Sequence, residues 1–323
     1  MASGPTITIS GGTDMVTVVQ GDTILPADYN NARTNIDDML SAPTSVTDLH
    51  GLNQGGASVG EAVTGTTIEA LGSAGAFTEL QNDIQALNTF YVATTNVHIQ
   101  TDIVVGQTIE ANEWNGMMYD TEARWNDEEK SYVTSTLTYP VSDTWVNSTD
   151  GDWTGTLTST VTYSWSTTAE LNAWFNGGGA VGVEAAIINY AGSDPQTLAW
   201  ETKLSNLGDV FIVKQDTEAG AGTNAGLGQV DMTTTYQTLV TYNGGGSAPY
   251  TSDWANVSAQ VNNTTSPTSV TVRIQLRDGT DGGTDDPVQG DTRARGVLYT
   301  PNPAGSGFTF NSPTVTQTAL IET

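Results

Sequence analysis

The chain has 323 residues, enough for two or three domains of ordinary size. It contains no cysteine, which excludes disulfide bonds, thiolate metal sites and cysteine nucleophiles. Nine Lys and Arg residues stand against 36 Asp and Glu residues, and the formal net charge is −27. Because nucleic acids and anionic lipids are bound through cations, we expect neither a nucleic acid nor a membrane as a partner.

The N-terminal residues and the overall composition predict a chain without a signal peptide or a membrane span. Residues 1–5, MASGP, lack the basic and apolar regions of a signal peptide. No run of about 18 apolar residues follows, as a membrane-spanning helix requires. Thr, Gly, Ser, Asn and Val dominate, and this mixture of β-branched and turn-forming residues predicts a mainly-β fold with short helices.

The N-terminal part contains an internal repeat. Residues 21–30, GDTILPADYN, reappear as residues 106–115, GQTIEANEWN. Each copy predicts a strand, a turn at the glycine, a short Thr-Ile strand and a helix with an acid in its first turn, where the helix N-terminus is positive. We therefore predict an α/β N-terminal region over residues 1–150, with duplicated strand–helix modules near 13–43 and 101–127.

Apolar side chains in this region recur at helical spacing in both copies, and also over residues 77–92 between them. Such stripes either pack within their own domain or meet partner chains. The candidate contacts with copies of the same chain or with other proteins are Tyr29, Ile36, Leu80, Ile84, Leu87, Trp114 and Met118.

From Ser131 onward the pattern alternates as in strands. In residues 270–277, VTVRIQLR, apolar and polar side chains alternate without a break, so one face is buried and the other is wet. We predict an antiparallel β-sandwich over residues 151–323. The predicted strands are 131–141, 155–165, 181–187, 209–214, 236–242, 253–261, 269–277, 296–300, 308–311 and 314–321.

Two short helices are predicted within the sandwich domain. Residues 167–170, TTAE, form a capping box, and Asn176 with the three following glycines ends the first helix. The second helix has Ser193 and Asp194 as its cap and Pro195 at its first position, and it ends at Gly208.

These helices also carry a family resemblance. Residues 171–181, LNAWFNGGGAV, followed by residues 200–208, WETKLSNLG, resemble virion structural proteins of tailed bacteriophages, especially those of marine cyanobacterial phages. Residues 236–239, YQTL, and 276–278, LRD, are similar to later stretches of that family. The helix start ADYN at residues 27–30 resembles a recurrent motif of phage appendage proteins.

The resemblance implies a structural component of the phage neck, tail or fibre, an appendage or connector that is not an enzyme. Such a protein is assembled in the host cytoplasm and then carried on the extracellular particle, as a homo-oligomer in contact with other virion proteins. The alternative is a receptor-binding adhesin at a fibre tip that grips a glycan through Trp145, Trp153 or Tyr250.

A polysaccharide depolymerase is the third hypothesis, because paired carboxylates beside aromatic rings suit glycoside hydrolysis. The residues for it are Trp125, Asp127, Glu128, Glu129, Asp150, Asp152 and Trp153. Nucleophilic catalysis has little support, since His50 and His98 are the only histidines and no G-x-S-x-G motif is present. We expect both histidines to be structural.

No cofactor is expected, with calcium as the one alternative. Acidic residues crowd a Gly-rich loop after residue 277, and calcium takes carboxylate and carbonyl oxygens. The spacing does not match an EF-hand loop, so a plain solvated hairpin is the competing interpretation. The candidate ligands are Asp278, Asp281, Asp285 and Asp286.

Overall fold

A computed structural model describes residues 3–22, 24–54, 75–92, 110–126, 137–138, 146–147, 153–244, 250–279, 287–301 and 307–322. The chain divides into two compact units. The first unit consists of Met1–Thr44, Asp48–Lys130 and Asn302–Phe310. The second consists of Ser45–Thr47, Ser131–Pro301 and Asn311–Thr323. The mainly-β fold with short helices is confirmed, and most of its strands lie in the second unit.

The described part of the first unit combines a two-stranded antiparallel sheet with three helices. These elements are β1 (Ser3–Ile7), β2 (Met15–Val18), α1 (Pro26–Leu40), α2 (Gly75–Val92) and α3 (Ala111–Asn126).

The two repeated helices, α1 and α3, begin at equivalent positions of the sequence repeat and in the same way. The backbone N–H of Leu25 donates to the Asp28 carboxylate at 3.2 Å, and that of Glu110 donates to the Glu113 carboxylate at 3.0 Å. Each acid thereby satisfies a backbone donor that a helix N-terminus leaves without an intrahelical partner. The short strand predicted in the first copy is not seen at Ile24, which lies in no sheet, and Thr23 lies outside the described residues. Both predicted strands of the second copy lie outside them as well.

Helix α3 is fixed to strand β2 by two polar side chains. The indole Nε1 of Trp114 donates to the carbonyl oxygen of Val16 at 3.0 Å. The side-chain amide of Asn115 pairs with the backbone of Val18, accepting from its N–H at 2.8 Å and donating to its carbonyl at 2.9 Å. Asn115 therefore satisfies the strand's backbone as a neighbouring strand does.

A late segment of the chain completes the first unit. Phe308 and Phe310 pack against Phe90 of α2, with ring centroids 5.3 and 5.7 Å from it. The side-chain amide of Gln54 also makes two hydrogen bonds with the backbone of Thr309, at 2.9 and 3.2 Å. The strand predicted over 308–311 is therefore wrong, because these residues pack on a helix and lie in no sheet.

The second unit contains two antiparallel sheets. In the large sheet the order is β14, β5, β12, β11, β10, β9, with β15 also paired to β5. These strands are β5 (Thr156–Ser164), β9 (Thr223–Asn224), β10 (Gln237–Tyr242), β11 (Trp254–Val261), β12 (Ser269–Arg277), β14 (Thr314–Gln317) and β15 (Ile321–Glu322).

In the small sheet the order is β3, β13, β6, β7, β8, with β4 also paired to β13. Its strands are β3 (Leu137–Thr138), β4 (Val146–Asn147), β6 (Ala180–Ile188), β7 (Val210–Ile212), β8 (Thr217–Glu218) and β13 (Asp291–Tyr299). The strand predicted to begin at residue 296 therefore begins earlier. The predicted strand 314–321 is divided into β14 and β15.

Both predicted helices of this unit are confirmed as α4 (Thr168–Asn176) and α5 (Pro195–Leu207). In α4 the Thr167 hydroxyl accepts from the backbone N–H of Glu170, while the Glu170 carboxylate accepts from that of Thr167. In α5 the Asp194 carboxylate accepts from the backbone N–H of Thr197 at 2.7 Å. The short-range signals of the sequence therefore set both helix starts.

Polar side chains link the two sheets of the second unit. The hydroxyl of Tyr163, on β5, lies 2.6 Å from the carbonyl oxygen of Gly182 on β6 and 3.0 Å from that of Val297 on β13. The amide of Gln317, on β14, donates to the carbonyl of Ala294 at 2.7 Å. The two sheets therefore pack face to face, as in a sandwich.

Candidate functional site: the outer face of the large sheet

The large sheet has one apolar face and one polar face. Along β12 the apolar residues Val270, Val272, Ile274 and Leu276 are buried, and the polar residues between them point outward. We call the outward surface the arginine face. Its residues are Thr158, Thr160, Thr162, Thr241, Trp254, Asn256, Ser258, Gln260, Thr271, Arg273, Gln275, Arg277 and Thr316, with Tyr236 at its margin.

Arg273 is held in place by neighbouring strands and loops. Its Nε donates to the hydroxyl oxygen of Ser258 at 3.1 Å, and its guanidinium carbon lies 4.0 Å from the centre of the Tyr236 ring. Arg277 is exposed and lies directly opposite the half-buried Trp254 in the β11–β12 pairing. Each arginine therefore has an aromatic residue beside it, and Arg273 is preorganised by a cation–π contact.

Hydroxyl and amide groups cross-link the rest of the arginine face. The Thr162 and Thr271 hydroxyls lie 2.9 Å apart on adjacent strands, and the Thr160 hydroxyl lies 3.1 Å from that of Thr318. The amide of Asn256 donates to the Thr241 hydroxyl at 2.9 Å. Cross-strand pairs of this kind stabilise a sheet and fix the rotamers of the side chains involved.

The charge on the arginine face is opposite to that of the chain. Six of the seven strands of the large sheet contain no Asp or Glu, although the whole chain has 36 acidic residues. The seventh strand, β15, contributes Glu322, whose carboxylate accepts from the backbone N–H of Thr154 at 2.9 Å. The arginine face is therefore a cationic area on a strongly acidic chain.

The arginines of the small sheet, in contrast, are paired with carboxylates. Arg293 pairs with Asp291 at 3.1 Å, and Arg295 pairs with Glu184 at 2.6 Å. Burial and the nearby Glu184 raise the pKa of Asp209 to about 6, against the opposing effect of Arg295. Positive charge on this sheet is thus balanced locally. Within the described residues, Arg273 and Arg277 have no such carboxylate partner.

The predicted calcium loop is represented by Asp278 alone among the described residues. Its Oδ1 accepts a hydrogen bond from the Gln196 amide at 2.6 Å, and the side chain is buried. Asp281, Asp285 and Asp286 lie outside the described residues. The part of the chain that the structure describes holds no group of three or more His, Cys, Asp or Glu arranged for a metal ion.

Beside Asp278 lies a buried lysine that sequence reasoning did not single out. The Lys203 ammonium donates to the carbonyl oxygen of Asp253 at 2.5 Å and lies 4.8 Å from the centre of the Trp200 ring. Burial lowers the pKa of Lys203, while the carboxylates of Asp253 and Asp278 oppose that shift. These contacts join α5 to the segment before β11. The role of Lys203 is therefore structural.

All seven side chains predicted as intermolecular contacts lie in the interior of the first unit. Each is 0% exposed and belongs to one hydrophobic cluster of that unit. Their helical stripes therefore pack within the chain, and the expected contact surface is corrected to core packing. The seven residues are Tyr29, Ile36, Leu80, Ile84, Leu87, Trp114 and Met118.

Two of the four aromatic residues proposed to hold a sugar, Trp153 and Trp125, are buried. Trp153 is buried and donates its Nε1 to the Thr292 hydroxyl at 2.9 Å. Trp125 is buried, donates to the carbonyl of Ser10 and stacks on His50 with 4.1 Å between ring centroids. Of the other predicted residues, Tyr250 is half-buried. Trp145, His98, Asp127, Glu128, Glu129, Asp150 and Asp152 lie outside the described residues.

Comparisons with known proteins add no relative to these observations. No family model, no curated protein and no solved structure matches the chain. Among the helices that the structure describes, none is long and apolar enough to cross a membrane. The fold therefore defines a class only, a mainly-β chain in which a two-sheet sandwich-like unit is joined to a helical unit.

Proposed function

We propose that this chain is a non-enzymatic structural component of a tailed bacteriophage particle, located in the neck, tail or fibre. It acts by contacts with copies of itself and with other virion proteins, and is carried on the extracellular particle after assembly in the host. The resemblance of residues 171–181 and 200–208 to phage virion proteins supports the class. The arginine face is the observation that supports the proposed mode of action, which is binding to other proteins.

The composition of the arginine face favours a protein partner. Protein interfaces are enriched in Arg, Tyr and Trp and depleted in Lys, Asp and Glu, and their strongest contacts are most often Trp, Tyr and Arg. Arg273 with Tyr236, and Arg277 opposite Trp254, supply these residue types in two adjacent groups. No Lys, Asp or Glu belongs to the arginine face as defined above. Its positive charge also removes the repulsion that two acidic proteins otherwise meet.

The residues that carry the resemblance serve the fold. Trp174 and Phe175 are fully buried on α4, and the glycines from Gly177 end that helix. Trp200 and Leu204 are buried on α5. These motifs therefore maintain the shape of the second unit, while partner choice depends on surface residues such as those of the arginine face.

Particle composition tests this proposal. Phage that encodes the chain is purified by density gradient, and quantitative mass spectrometry measures the number of copies per particle. A whole-number multiple of a ring or fibre symmetry, resistant to washing, is expected. Finding the chain only in the soluble fraction of the lysate overturns the proposal.

A complementation assay tests the role of the arginine face. Phage lacking the gene are grown with wild-type or variant protein supplied in trans. The variant Arg273→Gln/Arg277→Gln removes two positive charges and is expected to enter particles at least tenfold less than wild type. Ser193→Glu/Thr202→Glu changes the net charge equally on exposed positions of and beside α5, and is expected to enter normally. Equal incorporation of both variants argues against the arginine face.

Two other outcomes identify the competing functions. A particle that assembles normally without the chain, but no longer adsorbs to host glycan, makes it a receptor-binding adhesin at a fibre tip. Shortening of host polysaccharide by the purified chain makes it a depolymerase. Both results contradict a purely structural role.

A further inference from the structure

Among the described residues, neither guanidinium group of the arginine face is paired with a carboxylate, although Arg273 donates to the Ser258 hydroxyl. Arg273 and Arg277 are four residues apart on one strand and on the same face, which separates them by about 13 Å along the strand. An interface that covers them must supply carboxylates, because burying an unpaired cation is costly. The partner of this face is therefore acidic, with carboxylates spread over a comparable distance.

The first unit of the same chain has an acidic surface on helices α1 and α2. We call it the acidic helix surface. Asp38 and Glu79 are exposed, and Asp37 and Asp83 are half-buried beside them. Burial, and then the neighbouring Glu79 and Asp37, raise the pKa of Asp83 to about 6, so these carboxylates lie close enough to repel one another.

Among the described residues, the acidic helix surface has more carboxylates than cations. Burial, and then Asp37 and Asp48, raise the pKa of Asp38. Arg33 lies near the same group, since it acts together with Glu79 and Asp83 on the Tyr29 hydroxyl. In the described part of the chain, four carboxylates therefore stand beside one guanidinium, and the surface they form is negative. A cationic surface that docks on it relieves the repulsion among its carboxylates.

We propose that the arginine face of one copy of this chain binds the acidic helix surface of a second copy. The inference rests on the proposed function, because it specifies the partner in self-assembly. The two surfaces are different, so the contact is heterologous, and repeating it produces a closed ring or an open filament. Both are forms that a neck, tail or fibre protein adopts in a particle.

Sedimentation velocity of purified full-length chain tests the pairing at about 0.15 M salt, where charges more than about 8 Å apart are largely screened. Wild type is expected to associate in the micromolar range. Arg273→Gln/Arg277→Gln is expected to raise the dissociation constant at least tenfold. Ser193→Glu/Thr202→Glu, with the same net charge, is expected to change it less than twofold. Circular dichroism confirms that each variant is folded.

A charge exchange then identifies the partner surface. Arg273→Glu/Arg277→Glu and Asp38→Lys/Glu79→Lys are each expected to remain monomeric alone, because each opposes like charges across the contact. Mixed in equal amounts, they are expected to associate, since the reversed face of one variant fits the reversed helix surface of the other. Asp38 and Glu79 are exposed, so their replacement leaves the core unchanged.

Three results overturn the inference. The first is unchanged self-association of Arg273→Gln/Arg277→Gln, and the second is a charge-exchanged mixture that stays monomeric. The third is an arginine face that binds a different acidic virion protein while self-association is unaffected. In that third case Arg273→Gln/Arg277→Gln still fails to enter particles if the proposed function holds, so the two failures are distinguishable.

Discussion

The hydroxyl of Tyr163 lies 2.6 Å from the carbonyl oxygen of Gly182, across the two sheets of the second unit. The same hydroxyl lies 3.0 Å from the carbonyl oxygen of Val297, on the strand paired with that of Gly182. The side chain is fully buried, and burial raises its pKa, so it stays a neutral donor at all ordinary pH values. This phenol, together with the Gln317 amide that donates to Ala294, thus aligns the two sheets.

Removal of this hydroxyl is expected to lower stability. Tyr163→Phe keeps the ring but removes the buried hydrogen bond, so the free energy of unfolding should fall by about 1–2 kcal/mol. Urea unfolding followed by tryptophan fluorescence measures the change. Tyr119→Phe, at an exposed position of α3, is the matched control and should have no effect. Equal stabilities for the two variants contradict the assigned role of Tyr163.

The same phenol explains why residue 296 is a glycine. A Cβ on Gly296 would lie 2.7 Å from the Tyr163 hydroxyl oxygen and 2.8 Å from Cγ1 of Val161. Gly296→Ala should therefore lower the free energy of unfolding by about 1–3 kcal/mol through overpacking. In the double variant with Tyr163→Phe, the measured loss of stability should be smaller than the sum of the two single losses, because the phenylalanine leaves room for the Cβ. Strict additivity in the unfolding experiment rejects this contact.

Some asparagines of the first unit are exposed enough that replacing them opens no cavity. Among these, replacement of Asn115 is expected to lower stability the most. Asn115→Ala leaves the N–H and carbonyl of Val18 without their side-chain partner, which should cost about 1–3 kcal/mol. Asn82→Ala on the exposed side of α2 is the control. Hydrogen exchange should show faster exchange at Val18 in the first variant alone. Unchanged protection there contradicts the pairing.

The raised pKa of Asp83 predicts that stability depends on pH. Its pKa is raised to about 6, so the folded chain binds this proton more tightly than the unfolded chain. Stability should therefore fall as the pH rises from about 4 to about 6 and stay level above that. Asp83→Asn should stabilise the chain above pH 6 by about 1 kcal/mol, a value reduced for the solvent around this half-buried group, and leave it unchanged near pH 4. Thermal unfolding at both pH values checks this, and equal gains at both refute it.

Elements with strong short-range signals could be predicted from the sequence, whereas elements placed by distant contacts could not. Helices α4 and α5 start where their caps, Thr167 and Asp194, indicated, because capping depends on residues three positions apart. Residues 308–311 alternate like a strand, yet Phe308 and Phe310 pack on Phe90, more than 200 positions earlier in the chain. No local pattern identifies such a partner.

The candidate site was harder to predict than the fold. The alternation over residues 270–277 indicated a wet face, but the neighbours of Arg273 come from other parts of the chain, Ser258 and Tyr236. Strand order is needed before one can recognise that Arg273 has no carboxylate partner among the described residues. A useful signal was present in the sequence, namely strands without a single acid in a chain of charge −27. The helical stripes were more conspicuous, and they form the core.

Electron cryomicroscopy of the intact particle tests the central claim most directly, because it shows what covers the arginine face in the assembled state. We expect a neighbouring protein subunit there, with carboxylates within about 4 Å of the guanidinium groups of Arg273 and Arg277. A map in which this face is open to solvent on every copy, or is covered by bound sugar, contradicts the account.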